Sequence, residues 1–235
     1  MKRRTSPIIK RNLIQATEIS RHYTMGDYTV NALSNINLTV QEGEFIAITG
    51  SSGSGKSTLM NIIGLLDSSD SGTYLFCGKN VRELSDRELS IIRNEKIGFI
   101  FQSYNLIPTL SILDNVALPL TYRGMPCAER YSRAVSALKA VDLSHRISHR
   151  PCELSGGQQQ RAAIARVIAS DPELILADEP CGSLDSSCAK DIMELLKNRQ
   201  KSGSTVIFIT HDLSDTAYAD RVLTVHDGKL TGNNF

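Results

Sequence analysis

The chain has 235 residues, 41% hydrophobic and 22% charged, which suits one folded globular domain or one domain with an inserted lobe. A formal net charge of +1 provides no field to draw in nucleic acid or an anionic membrane. No run approaches the roughly 18 apolar residues that span a bilayer, so a membrane role has to come through another chain.

Residues 1–12 read as a basic tail carrying Lys2, Arg3, Arg4, Lys10 and Arg11. A disordered tail is the plain reading; a contact with phospholipid headgroups or a partner is the alternative. Pro7 and the short Ile8-Ile9 pair cannot form the apolar core of a signal peptide. The five cysteines are irregularly spaced without a C-x-x-C pair, which suggests neither a disulfide framework nor a zinc site. With no export signal, a reducing cytosol is the expected compartment.

The segment Leu13 to Val40 reads as a small antiparallel sheet, and Glu44 to Thr49 as a buried strand. The glycine-rich turn that follows opens a helix from Lys56 to Leu66, with Leu59, Ile62, Ile63 and Leu66 on one side. Ser85-x-x-Glu88 forms a capping box for a helix through Lys96, and Ile97 to Phe101 is a further short strand. Residues 103–165 turn mainly helical, with Tyr131, Val135, Leu138 and Val141 at helical spacing in a helix from Ala128 to Val141. Strand patterns return at Leu174–Ala177, Thr205–Ile209 and Val222–Val225, with helical stretches at Ser186–Arg199 and Leu213–Tyr218. This alternation predicts an α/β fold around a mostly parallel sheet covered on both faces, with residues 103–165 as an inserted helical subdomain.

Gly50-Ser51-Ser52-Gly53-Ser54-Gly55-Lys56-Ser57 matches the P-loop pattern in full, between a strand and a helix. The glycines let successive N–H groups turn inward to phosphate oxygens, and the helix start at Lys56, Ser57 and Thr58 adds its positive end. Lys56 is expected to neutralise the β- and γ-phosphates and Ser57 to hold Mg²⁺. Kinases, GTPases, motors and helicases share this loop, so it does not name a function. Asp178 and Glu179 follow four apolar residues at a strand's carboxyl end, where ligands bind. Asp178 is placed for Mg²⁺, and Glu179 to orient or deprotonate an attacking water.

Leu154-Ser155-Gly156-Gly157-Gln158-Gln159-Gln160-Arg161 resembles the signature of ATP-binding cassette (ABC) proteins. Ser155 and the paired glycines would open a helix whose free N–H groups face an anion. The resemblance implies that Ser155, Gly156, Gly157 and Gln158 meet the nucleotide of a second cassette, so that two ATP molecules lie between two copies. It further implies that Gln102 contacts Mg²⁺ and that Ser183-Leu184-Asp185 crosses the dimer interface. His211 would be the switch histidine on the γ-phosphate, and Tyr23 the aromatic residue stacked on adenine, with Tyr28 as competitor. In this reading Glu179, His211 and Lys56 carry the chemistry, ATP and Mg²⁺ are bound, and the fold is a P-loop cassette with a RecA-like core.

The resemblance covers about residues 13–230, and residues 13–235 form the ATP-binding domain. Met60-Asn61, Gly64-Leu65-Leu66-Asp67, Ile97 to Gln102, Asn105 to Pro108, Asn115 to Leu120 and the triple glutamine Gln158–Gln160 resemble the lipoprotein-release and macrolide-export (LolD/MacB-type) ATPases. That implies an integral membrane permease, expected on a separate chain because the sequence stops at Phe235, with room for a periplasmic or extracellular adaptor, and a place at the cytoplasmic face of the inner or plasma membrane. A soluble ABC ATPase acting on DNA or ribosomes is the alternative; no coiled coil, zinc cysteines, second cassette or basic footprint supports it. A regulatory binder would need neither Glu179 nor His211. One departure is Cys181-Gly182, where relatives commonly have Thr-Gly; either an inert buried thiol or thiol-sensitive turnover follows from it.

Overall fold

The computed structural model describes residues 11–26, 28–182 and 184–232. The tail expected at residues 1–12 therefore falls mostly outside the described residues, as does Ser183. Strands β1 (Asn12–Met25) and β2 (Tyr28–Gln41) pair antiparallel, and β4 (Ser71–Phe76) and β5 (Lys79–Asn80) complete a four-stranded sheet in the order β2-β1-β4-β5. The second sheet holds β3 (Phe45–Thr49), β6 (Ile97–Ile100), β7 (Leu174–Asp178), β8 (Thr205–Ile209), β9 (Arg221–His226) and β10 (Lys229–Gly232). Its order is β10-β9-β3-β8-β7-β6, and every pairing is parallel except that of β10 with β9. This is the largely parallel sheet that the strand–helix alternation predicts.

Strand β3 is buried on both faces and divides two cores. Phe45 and Ala47 pack with the helices α3 (Ile112–Tyr122), α5 (Gly156–Ser170) and α6 (Ser186–Lys201). Ile46 and Ile48 face the other way, onto α1 (Lys56–Ile63) and the inner side of the four-stranded sheet. The two-residue period of a strand sends alternate side chains to opposite layers. Helix α2 (Asp86–Lys96) begins with the expected capping box, in which the Ser85 hydroxyl accepts from the Glu88 N–H and Glu88 reaches back to the Ser85 N–H.

Three expectations need correction. The helix from Lys56 ends at Ile63, and Leu66 is 49% exposed. Gly64 sits against the Phe99 ring, and Leu65 turns into a left-handed conformation, so the helical face does not continue. In α4 (Cys127–Ala140) Val135 is 40% exposed, and the buried face runs through Ala134, Ala137 and Leu138 instead. Small alanines fit the close approach to α3 and α5, which a pattern of large residues did not register. Residues 213–218 form only a short 3₁₀ turn, Asp215–Tyr218. Among the described residues no helix is long and apolar enough to cross a membrane.

Candidate nucleotide site

Strands β6, β7, β8 and β3 lie side by side and point the same way. Ile100 is level with Ala177, Asp178 with Ile209, and Ile48 with Ile209. Gln102, Asp178-Glu179, His211 and Gly50 therefore all emerge at one carboxyl edge, where an open parallel sheet binds ligands.

Residues 50–55 link β3 to α1. A Cβ on Gly50 (φ 144°) would lie 2.2 Å from the Val225 carbonyl oxygen, and one on Gly55 (φ 107°) 2.4 Å from that of Ala32. Both clashes are with backbone, so only glycine fits. Ser51, Ser52 and Gly53 are exposed, whereas Ser54 is buried with its hydroxyl unpartnered. Lys56 is 6% exposed, and its ammonium donates to the carbonyls of Gly50 at 2.9 Å and Ser51 at 2.7 Å. One of its three N–H groups is left for a ligand. Helix α1 starts with no side-chain cap and no acid in its first turn, which contains Ser57 and Thr58. Helix α4 also lacks a side-chain cap but has Glu129 in its first turn, whereas α2, α3, α5 and α6 are capped by Ser85, Ser111, Ser155 and Asp185. The unpaired N–H groups and positive dipole end at α1 make a site for an anion.

Glu179 has φ 45°, a left-handed conformation that surrounding contacts must hold. Its N–H donates to the Ile209 carbonyl at 3.1 Å, and its Oε1 lies 2.6 Å from His211 Nε2. Its Oε2 and the Gln102 Nε2 both approach Gly182, at 3.2 and 3.5 Å from the place a Cβ would occupy. Burial first, and then the charge of Glu179, push the Asp178 carboxyl above its ordinary range; Lys56 and His211 pull it back.

The native chain therefore holds a proton on Asp178 more readily than the unfolded chain. Stability of the nucleotide-free protein falls as pH rises from the ordinary carboxylate range through the raised native value, and the loss is complete above it. Asp178→Asn should raise the melting temperature at neutral pH by a few degrees and match the parent at acid pH. Thermal unfolding across a pH series measures this, and a lower neutral melting temperature in the variant would contradict it.

Helix α5 begins as a capping box: the Ser155 hydroxyl accepts from the Gln158 N–H, and Gln158 Oε1 accepts from the Ser155 N–H. Gly156 lies against the Tyr104 hydroxyl and Gly157 against the Cys188 sulfur. Asp185 caps α6, accepting from the N–H groups of Ser187 and Cys188. Tyr23 donates its hydroxyl to Asp67 at 2.7 Å, and one ring face carries the Arg21 guanidinium 4.8 Å from its centre. Tyr28 is 80% exposed. The Cys181 thiol donates to the Ala189 carbonyl at 3.5 Å and is pushed up to about 12, chiefly by burial, which favours the inert-thiol reading.

Sequence reasoning missed Arg166. Its guanidinium donates to the carbonyls of Asn105 at 2.6 Å and Tyr104 at 3.1 Å, two consecutive left-handed residues in the loop after Gln102. Those partners lie about sixty positions away along the chain, so no local pattern marks the contact. Arg21 and Asp67, which fix Tyr23, were missed for the same reason.

The family described as ABC transporter matches residues 33–182. The chain belongs to the ABC transporter family. The cassette is 46% identical over 222 residues to the macrolide export ATP-binding/permease protein MacB of Hyphomonas neptunium, covering 94% of this chain and 34% of that protein. It thus spans about a third of the length of the MacB relatives it matches. An uncharacterized ABC transporter ATP-binding protein of Thermotoga maritima is 44% identical, with 94% of this chain and 95% of that one covered. A solved dimeric structure of the ATP-binding cassette MJ0796, in a post-hydrolysis state with ADP and Pi, superposes with TM-score 0.87 at 42% identity, covering 94% of this chain and all of that one. These likenesses are consistent with the LolD/MacB-type subgroup, and the fold is that of the ABC ATPase cassettes. The chain is an ABC-type ATPase cassette, and nucleotide binding is supported by the neighbour captured with ADP and Pi.

Proposed function

We propose that two copies of this cassette enclose two Mg-ATP, hydrolyse them, and drive a membrane permease of the LolD/MacB type from the cytoplasmic face. The observation that carries the chemistry is Glu179, whose Oε1 lies 2.6 Å from His211 Nε2 while Oε2 faces Gly182 on the side of Gln102. Lys56, Gly50 to Gly55 and the first N–H groups of α1 grip the β- and γ-phosphates. Tyr23 offers adenine the ring face opposite Arg21.

Among the described residues no cluster of three His, Cys, Asp or Glu could cage a metal. That fits Mg²⁺, which needs only one or two carboxylates beside phosphate oxygens. Asp178, whose burial disfavours its charge without a nearby cation, Ser57 and Gln102 would hold it. When bound, the metal neutralises charge developing on the β- and γ-phosphate oxygens. Glu179 Oε2 takes the proton of a water whose oxygen bonds to the γ-phosphorus as the bond to ADP breaks. His211 fixes Oε1, so the carboxylate cannot rotate away. The free N–H groups of Gly156 and Gly157, at the start of α5, then serve the γ-phosphate of the other copy.

Permease contact is best placed at a groove of about 460 Å³ between α2, α3 and β6. Phe99, Phe101, Leu118, Pro119 and Tyr122 line it, and Tyr122 is 75% exposed. A concave apolar groove of this kind suits an apolar anchor side chain of a partner. The tagged cassette, purified in mild detergent from its own cells, should bring down a multi-spanning membrane protein, and Tyr122→Glu should reduce that yield about tenfold. Recovery of the cassette with ribosomes or DNA and no membrane protein would favour the soluble-ATPase alternative.

A further inference from the structure

Gln160 is 1% exposed within α5. Its Nε2 donates to the Pro180 carbonyl at 2.7 Å, while its Oε1 is buried without a partner among the described residues. An apolar side chain of the same volume would remove the unpaired amide oxygen but take the donor from the buried Pro180 carbonyl, so the two desolvation costs roughly offset. A buried side chain kept here with one polar atom unpaired points to a role for its contact beyond stability.

That contact is the turn that aims Glu179. Glu179 is held left-handed, and Pro180 after it disfavours the right-handed helical alternative. Besides the Cys181 thiol hydrogen bond to Ala189 and the Leu184 N–H bond to Cys181, three bonds hold the turn at Glu179 and Pro180 among the described residues. The Glu179 N–H donates to Ile209, the Gly182 N–H to the Glu179 carbonyl at 3.1 Å, and the Gln160 amide to Pro180. The first two arise from the sheet and from the turn itself. Only the third reaches the turn from the helix that Ser155 opens, five residues ahead of Gln160. Relaxing Glu179 toward an extended conformation would re-aim its carboxylate away from His211.

We infer that Gln160 is a positioning residue that links the two nucleotide sites through a single subunit. The start of its helix meets the nucleotide of the other copy, and its amide sets the turn that points Glu179 at the subunit's own nucleotide. A helix moves as a rigid rod, so a shift at Ser155 carries Gln160 and the Pro180 carbonyl with it. Occupancy of one site then alters hydrolysis at the other, which is a coupling between sites. The inference rests on the paired-cassette reading proposed above.

The test compares the full chain with Gln160→Met, a volume-matched change that cannot donate to Pro180. Three quantities are read: unfolding temperature, ATP binding by the dilute single chain, and steady-state hydrolysis against ATP concentration. The variant should unfold near the parent temperature and bind ATP as the parent does. Its turnover should fall roughly ten- to a hundredfold, the scale of a misplaced catalytic group. Its ATP dependence should change from sigmoidal to hyperbolic. Gln160→Leu, which likewise cannot donate to the Pro180 carbonyl, should lose cooperativity in the same way and stands in if Gln160→Met does not fold. Parent turnover with a sigmoidal response in either folded variant would overturn the inference. So would turnover lost only in step with stability, or failure of both variants to fold, since each marks Gln160 as merely structural. A hyperbolic response in the parent protein would instead remove the paired-cassette reading, and this inference with it.

Discussion

Glu179→Gln should bind ATP with parent affinity, turn over about 10²–10⁴ times more slowly, and accumulate as a nucleotide-bound dimer. The amide keeps the size and the close approach to His211 but cannot take a proton from water. The strained turn at φ 45° is built by backbone and neighbouring contacts rather than by the carboxylate charge, so the substitution leaves the geometry intact. Removing one of two adjacent acids also lessens the repulsion on Asp178, whose carboxyl is pushed up partly by Glu179. Steady-state hydrolysis and light scattering with ATP measure the two effects. Near-parent turnover would take the base role away from Glu179.

Mixing two inactive variants should restore hydrolysis. Lys56→Ala removes the ammonium that spans the Gly50 and Ser51 carbonyls and with it the charge on the phosphates, which should cost about 10²–10³-fold in rate. Gly156→Asp places a carboxylate in the first turn of α5. That suits the helix dipole but repels an incoming phosphate, so the helix should stand while its anion site fails. The new Cβ meets only the end of the Tyr104 side chain, at 2.9 Å, which can swing aside. Each homodimer then lacks one half of both sites. In a head-to-tail mixed dimer one site pairs the intact phosphate loop of one copy with the intact α5 start of the other. An equimolar mixture forms mixed dimers in half of all pairings, so hydrolysis should return to at most roughly a quarter of the parent rate. No recovery, with both variants folded, would mean that each chain completes its own site.

Much of this was legible in the residues because it is local. The phosphate loop, the capping box at Ser85 and the strands ending at Thr49 and Ala177 each depend on contacts within a few positions. Propensity and spacing carry that information directly. Strand β4 and the short β5 and β10 were not recognised. Ser71–Phe76 is only partly buried and takes its place from pairing with β1, more than fifty residues away in sequence. The end of α1 was misplaced because Leu66 continues the helical period, while the Phe99 ring against Gly64 comes from a distant strand.

The candidate site divides the same way. The amino-acid sequence by itself determined which residues grip phosphate and which acids follow a buried strand, since those are properties of a loop and a strand end. Only the tertiary structure decided that His211 holds one oxygen of Glu179, that Arg21 and Asp67 fix Tyr23, and that Gln160 reaches Pro180. Those contacts join segments twenty to about forty-five residues apart, and they form only after the sheet has brought separate strand ends to one edge. A periodic pattern records which face of an element is buried. It does not record which distant polar group will lie opposite, because that partner is chosen by packing.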